Sequence, residues 1–305
     1  MSRDLRRILL LLSAASVALA TLPWLASDFM LSLALTCLLY VGLAVSWSMF
    51  SGATNYLSLA TAAFFGIGAY VTACGFESLP YAVVVLLGGV AAATFAALVG
   101  AAVLHLRGAY FAVITFGLGE LVRHAITYAE KTYAKTVGRV IADPPDAGEV
   151  YLTVLLLAFV AVAACAAVRA SRFGLALAGI GADEERAQTL GVNTRRTKIL
   201  AFAMAAFFAG ALGAAMAVRW TYIEPASVFN PFIGFQTVLI AMIGGAQTLI
   251  GPIVSAVVFS VMTEMLRLQF PYAYLITLGV LLILLVLYLP GGMASLLRRA
   301  WRPSG

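Results

Sequence analysis

Charged residues are scarce in this chain. Asp, Glu, Lys and Arg make up 10% of its 305 residues, whereas they supply about a quarter of a typical soluble domain. Hydrophobic residues account for 63%, and the mean hydropathy is +1.02. This composition excludes a water-soluble core and indicates an integral membrane protein.

Several kinds of reactive residue are also rare. The chain has two histidines and three cysteines, and the cysteines all lie in apolar runs, so we expect no metal site and no disulfide framework. None of the three lysines follows a glycine, which excludes the phosphate-binding loop of a Walker-type ATPase. The H-E-x-x-H and G-x-S-x-G patterns are also missing. We therefore expect a chain that is not an enzyme and binds no cofactor of its own.

The chain does contain a series of long runs without charge. Spans avoid charge because burying one at the centre of a bilayer costs at least about 2.5 kcal/mol. A crossing helix needs about 20 residues, so the runs 29–76 and 225–263 each have room for two spans. Turn-forming residues divide them at 51–55 and at 244–248. The uncharged runs are 8–27, 29–76, 78–106, 150–168, 199–218, 225–263 and 268–297.

One further region, 109–128, is apolar except for Glu120, Arg123 and His124. Together these regions predict an all-α polytopic membrane protein, with about ten transmembrane helices in a single domain over residues 1–305. The start of the first run is also typical of a cleaved secretory signal, because two arginines precede an apolar stretch that contains Ala18-Leu19-Ala20. We expect a retained first helix, since the run continues to Ser27 at spanning length.

The basic residues predict the orientation. Cytoplasmic loops carry an excess of Lys and Arg, and this excess falls on the side of the N-terminus, with thirteen basic residues against five. Both termini are therefore expected in the cytoplasm, and the net charge of +6 reflects topology rather than nucleic-acid binding. The thirteen are Arg3, Arg6, Arg7, Arg107, Arg169, Arg172, Arg186, Arg195, Arg196, Lys198, Arg298, Arg299 and Arg302, and the five are Lys131, Lys135, Arg139, Arg219 and Arg267.

Two longer polar segments remain, an outer loop at about 129–149 and a cytoplasmic segment at about 169–198. In the cytoplasmic segment Asp183 can cap a helix whose first turn holds Glu184 and Glu185, and Gly191 suits its end. We predict a short helix from about Asp183 to Leu190 along the membrane surface. For both segments, a docking surface and a simple connector are open interpretations.

Several blocks together resemble the branched-chain amino acid ABC permease family, in particular its LivM-type membrane subunit. The resemblance runs from about 51 to 292, and residues 107–115 with 119–123 match the most recognisable block. Residues 57–59 with 63–70 are similar to the family's third-span block. The chain departs at Ala60-Thr61, where the family usually has Gly-His, and at Ala246, where it usually has glycine. It also has Gly181 and Arg186 where the resemblance leads us to expect arginine and alanine. The other matching residues are Glu184, Ala187, Leu190, Gly191, Val192, Asn193, Lys198, Ala201, Phe202, Ala209, Gly210, Pro225, Gly244, Gly245, Gly251 and Pro252.

The resemblance implies a type II-like ABC importer permease in a bacterial inner membrane. Its expected partners are two cytoplasmic ABC ATPase subunits that use ATP, a second homologous permease, an extracytoplasmic substrate-binding protein and the lipid bilayer, with no nucleic acid. The ATPases are expected to dock on a coupling helix and to drive alternating access. The coupling residues expected from it are Asp183, Glu184, Glu185, Ala187, Leu190 and Gly191, and the translocation-path candidates are Ser58, Thr61, Phe65, Gly66, Gly68, Tyr110, Thr115, Glu120, Gly244 and Gly245.

Three functions remain open. The expected cargo is a branched-chain or related amino acid, and the Ala60-Thr61 departure leaves urea, short amides or another small nitrogenous solute as alternatives. An ion-coupled secondary transporter is a rival of another class, with Glu120 as its coupling carboxylate. Glu120, Arg123 and His124 share one helix face at i, i+3 and i+4, so they form either a gate or an ion pair that supports helix packing.

Overall fold

The computed structural model describes residues 13, 16–141, 144–220, 222–270 and 279, and most of these residues are helical. Seven of the described helices are long and apolar enough to cross a membrane, which confirms the predicted all-α polytopic membrane fold. The seven are Asp28–Gly52, Tyr81–Val103, Ala109–Tyr133, Ala147–Ala170, Thr194–Ala217, Pro225–Gly244 and Ile250–Gln269.

The described residues include twelve α-helices with defined bounds and two short strands. In order the helices are α1 Leu22–Leu25, α2 Asp28–Trp47, α3 Thr61–Gly75, α4 Tyr81–Val103, α5 Ala109–Ala129, α6 Ala147–Ala170, α7 Arg172–Ala182, α8 Glu184–Thr189, α9 Thr194–Ala217, α10 Pro225–Val228, α11 Pro231–Gly244 and α12 Ile250–Gln269. Single π-helical turns extend α2 over Ser48–Gly52 and α5 over Glu130–Ala134. Strand β1, Arg139–Val140, pairs antiparallel with β2, Tyr222–Ile223.

Polar side chains mark where several helices begin. Asp146 accepts a hydrogen bond from Gly148 N at 3.0 Å before α6, and Asn230 accepts one from Phe232 N at 3.0 Å before α11. Ser171 does the same for Gly174 N at the start of α7. Each cap satisfies an amide that has no partner inside its own helix.

Both long runs are interrupted, and the second break, at 245–249, confirms the predicted one at 244–248. The first break was predicted at 51–55, but the chain stays helical to Thr54 and the break lies at 55–60. The first long run breaks after the π-helical turn, at Asn55, and the second breaks at Gly245, where both residues have positive φ. Helix α3 has 15 residues, which cover about 22 Å of a bilayer core about 30 Å thick. The structure describes residue 13 and residues 16–27 of the predicted span 8–27, and the predicted span 268–297 lies mostly outside the described residues. The count of about ten therefore stays a prediction.

Helix α9 forms the centre of the bundle and α5 lies at its edge. In the apolar 18-residue stretch of each helix, 61% of the residues are buried for α9 and 22% for α5. Helix α9 packs closely on α3 and α4, and a Cβ on Gly68 would overlap the carbonyl of Gly210. Small residues therefore allow these backbones to touch.

The predicted outer loop is ordered around a buried carboxylate, Glu130. Its Oε2 accepts hydrogen bonds from Tyr70 Oη at 3.2 Å and from Gly138 N at 2.8 Å, and its Oε1 lies 3.5 Å from Arg139 Nε. Arg139 belongs to β1, whose partner β2 follows α9. One carboxylate thus connects this loop to α3 and to the next loop on the same side.

Candidate functional site

The short helix predicted at Asp183 is present as α8. Asp183 Oδ1 accepts hydrogen bonds from Glu185 N at 3.0 Å and Arg186 N at 3.1 Å, which caps the helix start. Gly191 has φ +87° after the last turn, and the next residue's amide, Val192 N, bonds to Ala187 O at 3.0 Å. This is the glycine-terminated end that the sequence indicated.

Helix α8 has an inner and an outer side. Ala187 is buried, and the Glu184 side chain is 10% exposed. The side chains of Glu185 and Arg186 are 83% and 85% exposed, and Leu190 after the helix is 84% exposed. The helix therefore presents Glu185, Arg186 and Leu190 as a free surface, whereas Glu184 faces the protein.

Glu184 is held by three side chains from other parts of the chain. Its Oε1 accepts a hydrogen bond from Lys198 Nζ at 2.6 Å, and its Oε2 accepts one from Tyr56 Oη at 2.7 Å. Arg107 Nε lies 3.4 Å from the same Oε2. Lys198 Nζ also donates to Leu104 O at 2.8 Å and to Tyr56 Oη at 3.1 Å. We call Tyr56, Glu184 and Lys198, with Arg107 at its rim, the anchor cluster.

The cluster keeps its carboxylate ionised. Burial raises the pKa of Glu184, but hydrogen bonds from Lys198 and Tyr56 and the charges of Lys198 and Arg107 outweigh it, so the pKa lies below its usual value. Because the folded pKa is depressed, this contribution to stability is present at neutral pH and is lost only as acid protonates the carboxylate.

A second contact joins this region to the first interruption. Asn55 Nδ2 donates to Gly181 O, at the end of α7, at 2.9 Å. A Cβ on Gly181 would overlap the carbonyl of Ala53, so the close approach requires glycine here. The arginine expected by family resemblance at this position would not fit the same approach.

Residues 55–60, which we call the unwound segment, are irregular but have well-paired backbone groups. Leu59 N donates to Thr115 Oγ1 at 3.0 Å, and Trp47 Nε1 donates to Ser58 O at 2.8 Å. Ala60 N donates to Ser58 Oγ at 3.3 Å. Irregular backbone at membrane depth is stable only where the protein itself supplies such partners.

The second interruption, 245–249, is tied by Arg169 at the end of α6. Its guanidinium donates to Gln247 O at 2.6 Å, to Ala246 O at 3.0 Å and to Ser48 Oγ at 3.4 Å. Both interruptions, the cytoplasmic segment and Arg107 are thus gathered at one end of the bundle, as the predicted topology requires.

The predicted path residues fall into three environments. Ser58, Thr61, Phe65 and Thr115 are buried inside the chain, and Tyr110 is exposed. Ser58 and Thr61 line a cavity of about 10 Å³, which is the space of about one water molecule. The remaining predicted path residues sit at helix contacts or turns, with Gly66 against Phe229, Gly68 against Gly210, Gly244 against Gly251, and Gly245 at φ +90°.

Glu120 is paired within its own helix. Its Oε2 lies 2.5 Å from Arg123 Nη2 and 3.9 Å from His124 Nε2. Since all three residues belong to α5, the pair does not fasten α5 to another described helix. It remains on a half-exposed face at the edge of the bundle.

Comparison with known proteins identifies the family. A family model described as the permease component of the branched-chain amino acid transport system matches residues 29–289. The chain belongs to this family. Similar relatives are the high-affinity branched-chain amino acid transport system permease proteins LivM of Escherichia coli (strain K12) and Salmonella typhimurium (strain LT2), each 27% identical over 323 residues, covering 95% of this chain and 75% of the relative. No solved structure matches the chain.

Family membership confirms the resemblance and makes the chain a multi-pass membrane permease component. The roles of Tyr56 and Arg169 escaped sequence reasoning, and Lys198 was noted without its partner. Their contacts join positions 14 to 142 residues apart, and a sequence pattern does not carry such pairs.

Proposed function

We propose that this chain is the membrane-spanning permease subunit of an ATP-binding cassette importer, carrying branched-chain or related amino acids across a bacterial inner membrane. The observation that carries the proposal is α8, an exposed helix capped at both ends and anchored from beneath by Glu184. A chain without a phosphate-binding loop needs a partner to supply energy, and this helix offers that partner a rigid surface.

The docking surface consists of Glu185, Arg186 and Leu190, which point away from the chain. The thirteen basic residues predicted on this side favour a cytoplasmic location, where two ATPase subunits would reach it. Glu184, first expected to contact the ATPase, acts instead by fixing α8 to the chain. The termini are then cytoplasmic, and the Glu130 loop faces the substrate-binding protein.

A second permease is supported by where the polar path candidates lie. The internal cavity beside Ser58 and Thr61 is about 10 Å³, whereas small-molecule sites span about 300–1,000 Å³. Tyr110 and Glu120 instead lie on the sparsely packed edge helix α5. A partner permease covering this edge would enclose the translocation path between two chains.

The cargo is inferred from the LivM relatives, whose names specify branched-chain amino acids. Urea or a short amide remains the alternative within the same class, because Thr61 stands where the family usually has a histidine. Ion-coupled transport through Glu120 is the rival of another class, although Arg123 already neutralises that carboxylate at 2.5 Å.

Reconstitution tests the proposal. Vesicles would hold this chain with the companion permease, ATPases and binding protein of its own organism, and uptake of labelled leucine, urea and acetamide would be compared. We expect leucine uptake that needs ATP and the ATPases. Leu190→Asp should lower ATPase retention at least about tenfold, because it places a charge in the docking surface, whereas Val140→Asp at the opposite end should not.

Two outcomes contradict the proposal. Uptake by this chain alone under a proton gradient would support the ion-coupled rival. Unchanged ATPase retention in Leu190→Asp would remove α8 as the docking surface.

A further inference from the structure

Tyr56 lies between α8 and the interior of the helix bundle. It is 8% exposed, and its hydroxyl contacts both charged members of the anchor cluster, Glu184 at 2.7 Å and Lys198 at 3.1 Å. Lys198 Nζ also lies 4.7 Å from the centre of the Tyr56 ring, within range of a cation–π contact. A residue of the unwound segment is therefore bonded directly to α8.

The other side of Tyr56 leads to α5. Its ring meets Phe111 edge-on with centroids 5.4 Å apart, and three residues further on Leu59 N bonds to Thr115 Oγ1 at 3.0 Å. Phe111 and Thr115 are one helical turn apart on α5 and both are buried. Two contacts thus attach the unwound segment to the first half of α5.

Helix α5 is suited to respond to such attachments. It lies at the edge of the bundle, where 22% of the residues in its apolar stretch are buried, compared with 61% for the central α9. Its own charge pair, Glu120 with Arg123, is internal to the helix and does not hold it in place. Its other ring contacts join Phe111 to Phe50 and Phe202 and join Phe116 to Phe235, so a shift of α5 also moves these side chains.

We propose that Tyr56 is the positioning residue that passes movement of α8 to the unwound segment and through it to α5. This inference rests on the proposed function, since it assumes that an ATPase displaces α8. Displacement of Glu184 draws the Tyr56 hydroxyl with it. The irregular backbone of the unwound segment absorbs the change in dihedral angles, and α5 moves through Phe111 and Thr115.

The test uses the complete reconstituted importer and two ratios. Tyr56→Phe removes the hydroxyl and keeps the ring against Phe111, and Tyr133→Phe is the matched control on the exposed opposite side. ATPase retention and ATP hydrolysis should stay near wild type in both variants. Leucine uptake per ATP hydrolysed should fall at least about fivefold in Tyr56→Phe alone, the lower range of typical coupling between sites.

A second variant tests the same link from the partner of the Tyr56 hydroxyl. Glu184→Gln keeps the size of the side chain but removes its charge, so it should also lower uptake per ATP, and the double variant should be no worse than the more severe single one. A merely structural role would reduce assembly, with hydrolysis and uptake falling together.

The failures are distinguishable. If wild-type chains show no ATP-driven uptake, the proposed function fails, and this inference fails with it. If wild type couples normally and Tyr56→Phe and Glu184→Gln keep the wild-type uptake per ATP, or lose hydrolysis and uptake in equal proportion, the inference alone is overturned.

Discussion

The two helix interruptions at the predicted cytoplasmic end are built differently. In the unwound segment, 55–60, side-chain hydroxyls of Ser58 and Thr115 accept the backbone amides. In the interruption at 245–249, Gly245 with φ +90° makes a tight turn that Thr248 closes through Gly245 O at 2.8 Å. The first is an extended polar stretch, and the second is a compact corner.

Their attachments differ as well. The unwound segment is bonded to α8 through Tyr56 with Glu184 and to α7 through Asn55 with Gly181. The second interruption is held by Arg169 at the end of α6, through main-chain carbonyls. The π-helical turn before the unwound segment lies against the second interruption, since a Cβ on Gly52 would overlap Ala246 O. The comparison shows that the unwound segment is attached to α7 and α8, whereas the compact turn is attached to the end of α6.

Removing the cation of the anchor cluster should have the largest effect. Lys198→Met leaves Glu184 buried without its main partner, and breaking a buried pair in this way costs about 3–5 kcal/mol. We expect a large fall in the thermal unfolding midpoint of the detergent-solubilised chain. The double variant Lys198→Met/Glu184→Gln should recover part of the loss, because no uncompensated charge remains.

An equal midpoint for Lys198→Met and wild type would show that the cluster does not hold α8. The unwound segment would then have no charged link to α8.

Local signals predicted the features that depend on neighbours in sequence. Missing charge located the spans, and Asp183 with Gly191 located α8, because caps act within one turn. Turn-forming residues located the second interruption, but they placed the first one several residues too early. Helix α7, Arg172–Ala182, was not predicted. Each of its three glycines is unfavourable in a helix by about 1 kcal/mol, so the local sequence did not indicate a helix there.

Features that depend on tertiary contacts could not be predicted. Glu184 was expected on the docking surface, and its orientation depends on Tyr56, 128 residues earlier. Arg169 was counted only toward the topology, because its acceptors are backbone carbonyls and leave no mark in the sequence. The burial of Ser58 and Thr61 likewise follows from packing rather than from residue type.

A change at the second interruption, 245–249, should have an intermediate effect. Arg169→Met removes the donor to two carbonyls, and hydrogen bonds to charged groups contribute about 1.5–3 kcal/mol. We expect faster hydrogen exchange at 245–249, with exchange at the unwound segment changed less. Arg172→Met, an exposed arginine three residues on, is the control. Faster exchange over both interruptions to the same extent would mean that they form one unit.

The smallest effect should come from removing the hydrogen bond between Leu59 of the unwound segment and Thr115 of α5. Thr115→Val keeps the shape of the side chain but leaves Leu59 N without its acceptor, a loss of about 1 kcal/mol. Thr153→Val is the matched control, since Thr153 Oγ1 donates to Glu149 O at 2.9 Å on α6, away from the unwound segment. We expect faster exchange of the Leu59 amide in the first variant and not in the second. If the Leu59 amide exchanges equally slowly in both, Thr115 does not join the unwound segment to α5, and movement would have to reach α5 through the Phe111 ring alone.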